Sequence, residues 1–191
     1  VSLGAFGGSL TVKFASSVVN KEGYDFAITG NAYDTSSEPG IVWVSKDVNA
    51  NGVADDPWYE LTGSDNDETT RKYSVTYERP EQPGDVAWTD GSGVTGTVNH
   101  IAEKHSQNYY PAWVSADSYT LSGSLLQHRT VFENNTWKNP GYGWGYADNL
   151  GSDVVKSADG FYLYNRFDID DAVDSDGNHV DLNEIHFVRV Q

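Results

Sequence analysis

The chain has 191 residues, 28 acidic against 12 basic, with a formal net charge of -16 and neither cysteine nor methionine. An acidic surplus with no basic cluster argues against nucleic acid and anionic membrane surfaces and allows cation binding. The lack of cysteine excludes disulfides, thiolate metal sites and cysteine nucleophiles.

The length suits one domain, residues 1–191, with a sizeable core. Its 13% aromatic content separates it from a solvated tail. No apolar run approaches the ~20 residues of a membrane span. In chain order, Leu10, Val12 and Phe14 alternate with Ser9, Thr11 and Lys13, a half-buried strand pattern. "DFAITG" (25–30) and "GIVWVS" (40–45) are shorter strand candidates, and Tyr73, Val75 and Tyr77 alternate with Lys72, Ser74 and Thr76. "DSYTLSG" (117–123), "DGFYLYNRF" (159–167) and "EIHFVRV" (184–190) complete the set, while "HIAEKH" and "DIDDAV" have room for one helical turn each. Short strands separated by Gly, Pro and Asn predict an all-β sandwich or barrel. Residues 127–160 carry no alternation and are expected to form one long aromatic-rich loop, of the kind that in compact domains usually has a role.

Between "IVWVS" and "WYEL", Asp47, Asn49, Asn51, Gly52 and Asp55 fall on positions 1, 3, 5, 6 and 9 of an EF-hand-type loop, with the Val53 carbonyl at position 7. Alternate residues of a tight loop point inward, so their oxygens converge, and Gly supplies the bend. Calcium takes about six to eight oxygens. Trp58 stands where the bidentate Glu would be, so Asp56, Glu60 or a distant acid has to finish the shell. The competing reading is an Asn51-Gly52 hairpin turn, which is compatible with a cage. Asp174, Asp176 and Asn178 repeat the spacing around Gly177, where a plain hairpin turn is the better reading; Asp168, Asp170 and Asp171 upstream leave a second ion open.

Trp137, Tyr142, Trp144 and Tyr146 share one Gly/Asn-rich segment, and Tyr109, Tyr110 and Trp113 precede a strand. Rings on loops offer a platform for sugar faces or a large planar ligand, with Asn139, Asp148 and Asn149 supplying polar partners. The alternative is that the rings fold inward as plugs. Trp43, Trp58 and Trp88 lie in strand-like contexts and are expected in the core.

The blocks "GNAYDTSSEPGIVWVSKDVNANGVADDPWYELTGS", "YYPAWVSADSYTLSG", "WGYADNLGSD" and "FDIDDAVDSDGNHVDLNEIHFVRVQ" resemble a family of bacterial cell-surface proteins found especially in Bacteroidota, where such domains follow PKD-like modules in exported lipoproteins. The resemblance covers nearly the whole chain. It implies a calcium-bearing β-sandwich on the outer cell surface that serves recognition or nutrient capture, with the metal role falling on Asp47, Asn49, Asn51 and Asp55. Some relatives sit beside outer-membrane uptake genes, including those for cobalamin, so an outer-membrane transporter and a corrinoid ligand join extracellular glycans as expected partners. With no Met at position 1, the chain is expected to begin inside a longer exported protein, any lipid-anchoring cysteine lying outside it.

Together these readings predict a jelly-roll-like β-sandwich with a calcium-binding hairpin, acting by recognition without catalysis. A glycan-active hydrolase is the alternative. Five scattered His, no HExxH and no GxSxG leave only carboxylates such as Asp117, Glu133 and Asp148 for it.

Overall fold

The computed structural model describes residues 3, 7–34 and 36–191 and is all-β, with antiparallel sheets and only single turns of 3-10 helix at Asn66–Glu68 and Ile169–Asp171. The strands are β1 (Leu10–Val19), β2 (Phe26–Ile28), β3 (Val42–Ser45), β4 (Trp58–Leu61), β5 (Thr70–Glu78), β6 (Val86–Asp90), β7 (Thr95–Val98), β8 (Ser118–Leu125), β9 (Val131–Glu133), β10 (Thr136–Lys138), β11 (Val154–Lys156), β12 (Tyr162–Phe167), β13 (Ala172–Val173) and β14 (Glu184–Val190). The contacts fall into two compact units: Val1–Gly8 with Thr70–Leu125, and Ser9–Thr69 with Leu126–Gln191. Among the described residues no helix is long and apolar enough to cross a membrane.

The larger unit is built from a five-stranded sheet in the order β1-β14-β3-β4-β13, a three-stranded sheet β11-β12-β2, and the β9-β10 hairpin. Register decides what the five-stranded sheet buries. Val188 pairs with Val44 and Val190 with Val42, so these four share one face, and Val42 and Val44 are wholly buried. The second sheet brings Phe26, Ile28 and Phe167 to the same core, where Phe26 stacks on Phe167 at 5.3 Å and meets Phe14 of β1 edge-on at 6.1 Å. Trp43 and Trp58 take the opposite face and are only half-buried, with the Arg189 guanidinium 4.0 Å above the Trp58 ring. Neither is exposed: Trp43 Nε1 is buried and the Trp58 ring lies 6.4 Å from that of the buried Phe187, so both pack on the sheet as the sequence suggests, short of full burial.

The smaller unit is one sheet, β7-β6-β5-β8. The predicted alternation of Tyr73, Val75 and Tyr77 lies on β5, and Tyr77 packs against Tyr119 of β8, which meets the buried Tyr110. Gly96 is dictated by close approach, since a Cβ there would lie 2.2 Å from the half-buried Trp88 ring. On the other face Thr76 and Thr120 share a 2.7 Å hydroxyl hydrogen bond.

Candidate functional site

β3 and β4 pair from Ser45 to Trp58, and the segment between them is the oxygen-rich loop. Asp47 holds its centre: one carboxylate oxygen accepts the Asn51 N–H at 3.0 Å, the other the Gly52 N–H at 2.8 Å. Asn49 Oδ1 accepts the same Asn51 N–H at 2.9 Å, which brings the Asp47 and Asn49 oxygens together. Asn51 Oδ1 accepts from Val53 N–H at 2.7 Å while its Nδ2 donates to both Asp55 oxygens at 3.1 and 3.3 Å, and Asp56 accepts the Val48 N–H at 3.0 Å. Asn and Asp favour such local side-chain to backbone bonds, which is why they populate this turn. Gly52 sits at φ +76°, where a side chain is strained and would also meet Lys13 Nζ.

Two contacts invisible in the sequence tie the loop to the sheet. Lys13 of β1 donates to the Gly52 carbonyl at 3.1 Å, and the Asp47 N–H donates to His186 Nδ1 of β14 at 3.2 Å. By residue type Asp47, Asn49, Asn51, Val53, Asp55 and Asp56 carry the oxygen donors a hard cation takes, while in this loop Asn51 turns its Nδ2 rather than its oxygen to Asp55. Among the described residues no three His, Asp or Glu side chains gather as a metal cluster. The donors of this loop are mixed, with two amides and a main-chain carbonyl beside the carboxylates. The Asp174 loop is a closed turn: Asp174 Oδ1 accepts the Asp176 and Asn178 N–H groups at 2.8 and 3.0 Å, and Val173 bridges to His179.

The aromatic residues of the long segment divide. Tyr142 and Tyr146 are buried, their rings 4.7 Å apart, and take the plug alternative. The Tyr142 hydroxyl donates to the Gln127 carbonyl, and the Arg129 guanidinium lies 4.4 Å above its ring while pairing with the buried Asp65. Burial pushes the Tyr142 phenol up and the Tyr146 phenol up to about 12. Asn149, fully buried, accepts the Tyr142 N–H at 2.7 Å and donates to the Tyr142 carbonyl at 3.0 Å, then pairs reciprocally with Asn165 at 3.2 and 2.8 Å. Asp153 beside them is also buried, and burial raises its carboxyl above the usual range, against the opposing pull of the Gly145 N–H and the Asn165 amide. Asn149 is therefore a scaffold residue, and half-buried Asp148, at φ +53°, accepts the Asn31 N–H at 2.6 Å.

Trp137 and Trp144 stay outside. Trp137 is 68% exposed and faces Phe132, 55% exposed, across the β9-β10 hairpin with centroids 4.9 Å apart. That hairpin corrects the expectation of one structureless loop over 127–160, since β9, β10 and β11 all fall inside it. Its signal was legible: Asn134 and Asn135 at φ +51° and +61° are the residues that a tight primed turn selects. Trp144, 38% exposed, is fixed through its backbone, Ser64 Oγ accepting its N–H at 3.3 Å and its carbonyl accepting the Ser64 N–H at 3.0 Å.

In the smaller unit Tyr110 is buried under Arg79, half-buried Tyr109 packs edge-on against His100 at 4.6 Å, and Trp113 is 85% exposed. The carboxylates considered for hydrolysis each have a partner. Asp117 pairs with Arg79 at 3.7 Å, Glu133 with Lys138 at 3.0 Å, and Asp148 with the Asn31 backbone. The chain matches no family model and no curated protein.

Proposed function

We propose that the chain is a calcium-stabilised, non-catalytic recognition module of a bacterial cell surface that binds extracellular carbohydrate. The observation that carries this reading is the Trp137–Phe132 pair, two large rings held in water by a cross-strand pairing. Rings on a rigid ribbon lose little entropy on contact, and their faces suit the apolar face of a sugar. Trp144 adds a second exposed indole on a segment anchored by Ser64. Asp47, Asn49, Asn51, Asp55, Asp56 and the Val53 carbonyl would hold calcium, which supplies charge neutralisation between acids and so fixes the β3-β4 connection. The chain's own Lys13 and His186 keep that loop against the sheet. Placement outside the cell rests on the sequence resemblance, as does an association with an outer-membrane transporter.

The test is binding to a panel of labelled glycans with cobalamin included. Wild type should retain one or more glycans without releasing cleavage products, and Trp137→Ala should weaken that binding by about 2 kcal/mol, as expected of a hot-spot ring, with its melting temperature unchanged. Retention of cobalamin alone would replace the glycan reading with corrinoid capture, and product release would replace it with hydrolysis.

A further inference from the structure

Asn51-Gly52 is the one Asn-Gly dipeptide of the sequence, and it sits at the exposed tip of the oxygen-rich loop. Gly has no side chain to hinder attack by its own backbone nitrogen on the preceding amide. In that reaction the Gly52 nitrogen bonds to Asn51 Cγ as the Cγ–Nδ2 bond breaks. Nδ2 leaves as ammonia carrying the displaced backbone proton, and water then opens the five-membered imide to aspartate or isoaspartate. Each reacting group is engaged elsewhere in the fold. The Gly52 N–H donates to Asp47 Oδ2 at 2.8 Å, so removing its proton would set a nitrogen anion against a carboxylate. The Asn51 amide is turned away, Oδ1 toward the Val53 N–H at 2.7 Å and Nδ2 toward Asp55 at 3.1 Å.

We propose that Asn51 is a latent deamidation site that the loop's own hydrogen bonds hold shut, so that modification marks chains whose loop has opened. The product changes the loop's chemistry. An aspartate at 51 replaces the amide-to-carboxylate bond with two facing carboxylates, and isoaspartate inserts a methylene into the main chain between Ala50 and Gly52, both at positive φ. Either outcome loosens the turn, so the modified chain keeps the opened loop.

The experiment keeps EDTA in every sample, so that it rests on the hydrogen bonds and not on a bound ion. The protein is incubated at mildly alkaline pH, and the exchange of NH2 for OH in the peptide 47–56 is followed by mass spectrometry. Folded wild type should convert roughly tenfold or more slowly than the urea-denatured chain, because reaction waits on local opening. Asp47→Ala and Asp55→Ala, folded by circular dichroism, should each lose most of that protection. Equal rates in folded and denatured wild type overturn the proposal whatever the variants do. Full protection in folded Asp47→Ala overturns the role given to the Gly52 N–H bond.

Discussion

Asp171 sits on the 3-10 turn that leads into β13, where burial first, and then the negative charges of Asp168 and Asp170, push its carboxyl from 3.8 up to about 6. The folded value lies above the unfolded one, so the fold binds this proton more tightly than the unfolded chain does. The stabilisation from protonation is complete below the unfolded value and is lost as pH rises through about 6. Asp168 is shifted the same way by burial, with Asp25 and Asp170 adding to it. Urea melts should therefore show wild type gaining stability between pH 7 and pH 5 relative to Asp171→Asn, and the variant should be the more stable of the two at pH 7. A wild-type minus variant difference that does not change across that interval would contradict the burial assigned to this carboxyl. None of this was legible from "DIDDAV", whose spacing gives one helical turn but not which acid turns inward.

The elements that position the exposed rings are short, and shortness limited what the sequence disclosed. β9 and β10 have three residues each, too few for period-2 alternation to register, so the Asn134-Asn135 turn was their main signature. Both turn residues need positive φ, which Asn tolerates and Gly adopts freely. Asn135→Gly should leave the hairpin intact, whereas a double Asn134→Ala, Asn135→Ala change should cost about 1–2 kcal/mol per residue locally and weaken glycan binding by freeing Trp137 from Phe132. Hydrogen exchange of the Glu133 and Thr136 amides, the pair that flanks the turn, together with glycan affinity checks this; tight binding by the double variant would remove the hairpin from the contact surface. The strands β1, β3, β5, β12 and β14 were readable because four to ten residues with apolar faces leave a pattern. The inward turn of Tyr142, Tyr146 and Asn149 was not, because it depends on Arg129, Asp65 and Asn165, which come from distant stretches of chain.

At the scale of the whole chain, the all-β class followed from composition and turn spacing, whereas the two compact units did not, since Leu10–Phe14 and Tyr73–Tyr77 carry the same alternation and yet fall in different units. The oxygen loop was legible residue by residue, but its tethers to β1 and β14 were not, because Lys13 and His186 lie 39 and 139 residues from their partners. Under the proposed function that loop supplies stability, the exposed rings supply contact, and the two are separable. Thermal melts of wild type, Asp47→Ala and Trp137→Ala, each in EDTA, in millimolar calcium, and in calcium with the glycan the panel retains, test this division directly. For a dissociation constant of order 10 µM, calcium should add ~2.7 kcal/mol, a shift of about 5–10 °C for a chain of this size. That shift should appear in wild type and Trp137→Ala but vanish in Asp47→Ala, and the glycan should raise the melting temperature of wild type further than that of Trp137→Ala. Wild-type melts that coincide in EDTA and calcium, or a glycan shift as large in Trp137→Ala as in wild type, would contradict the account.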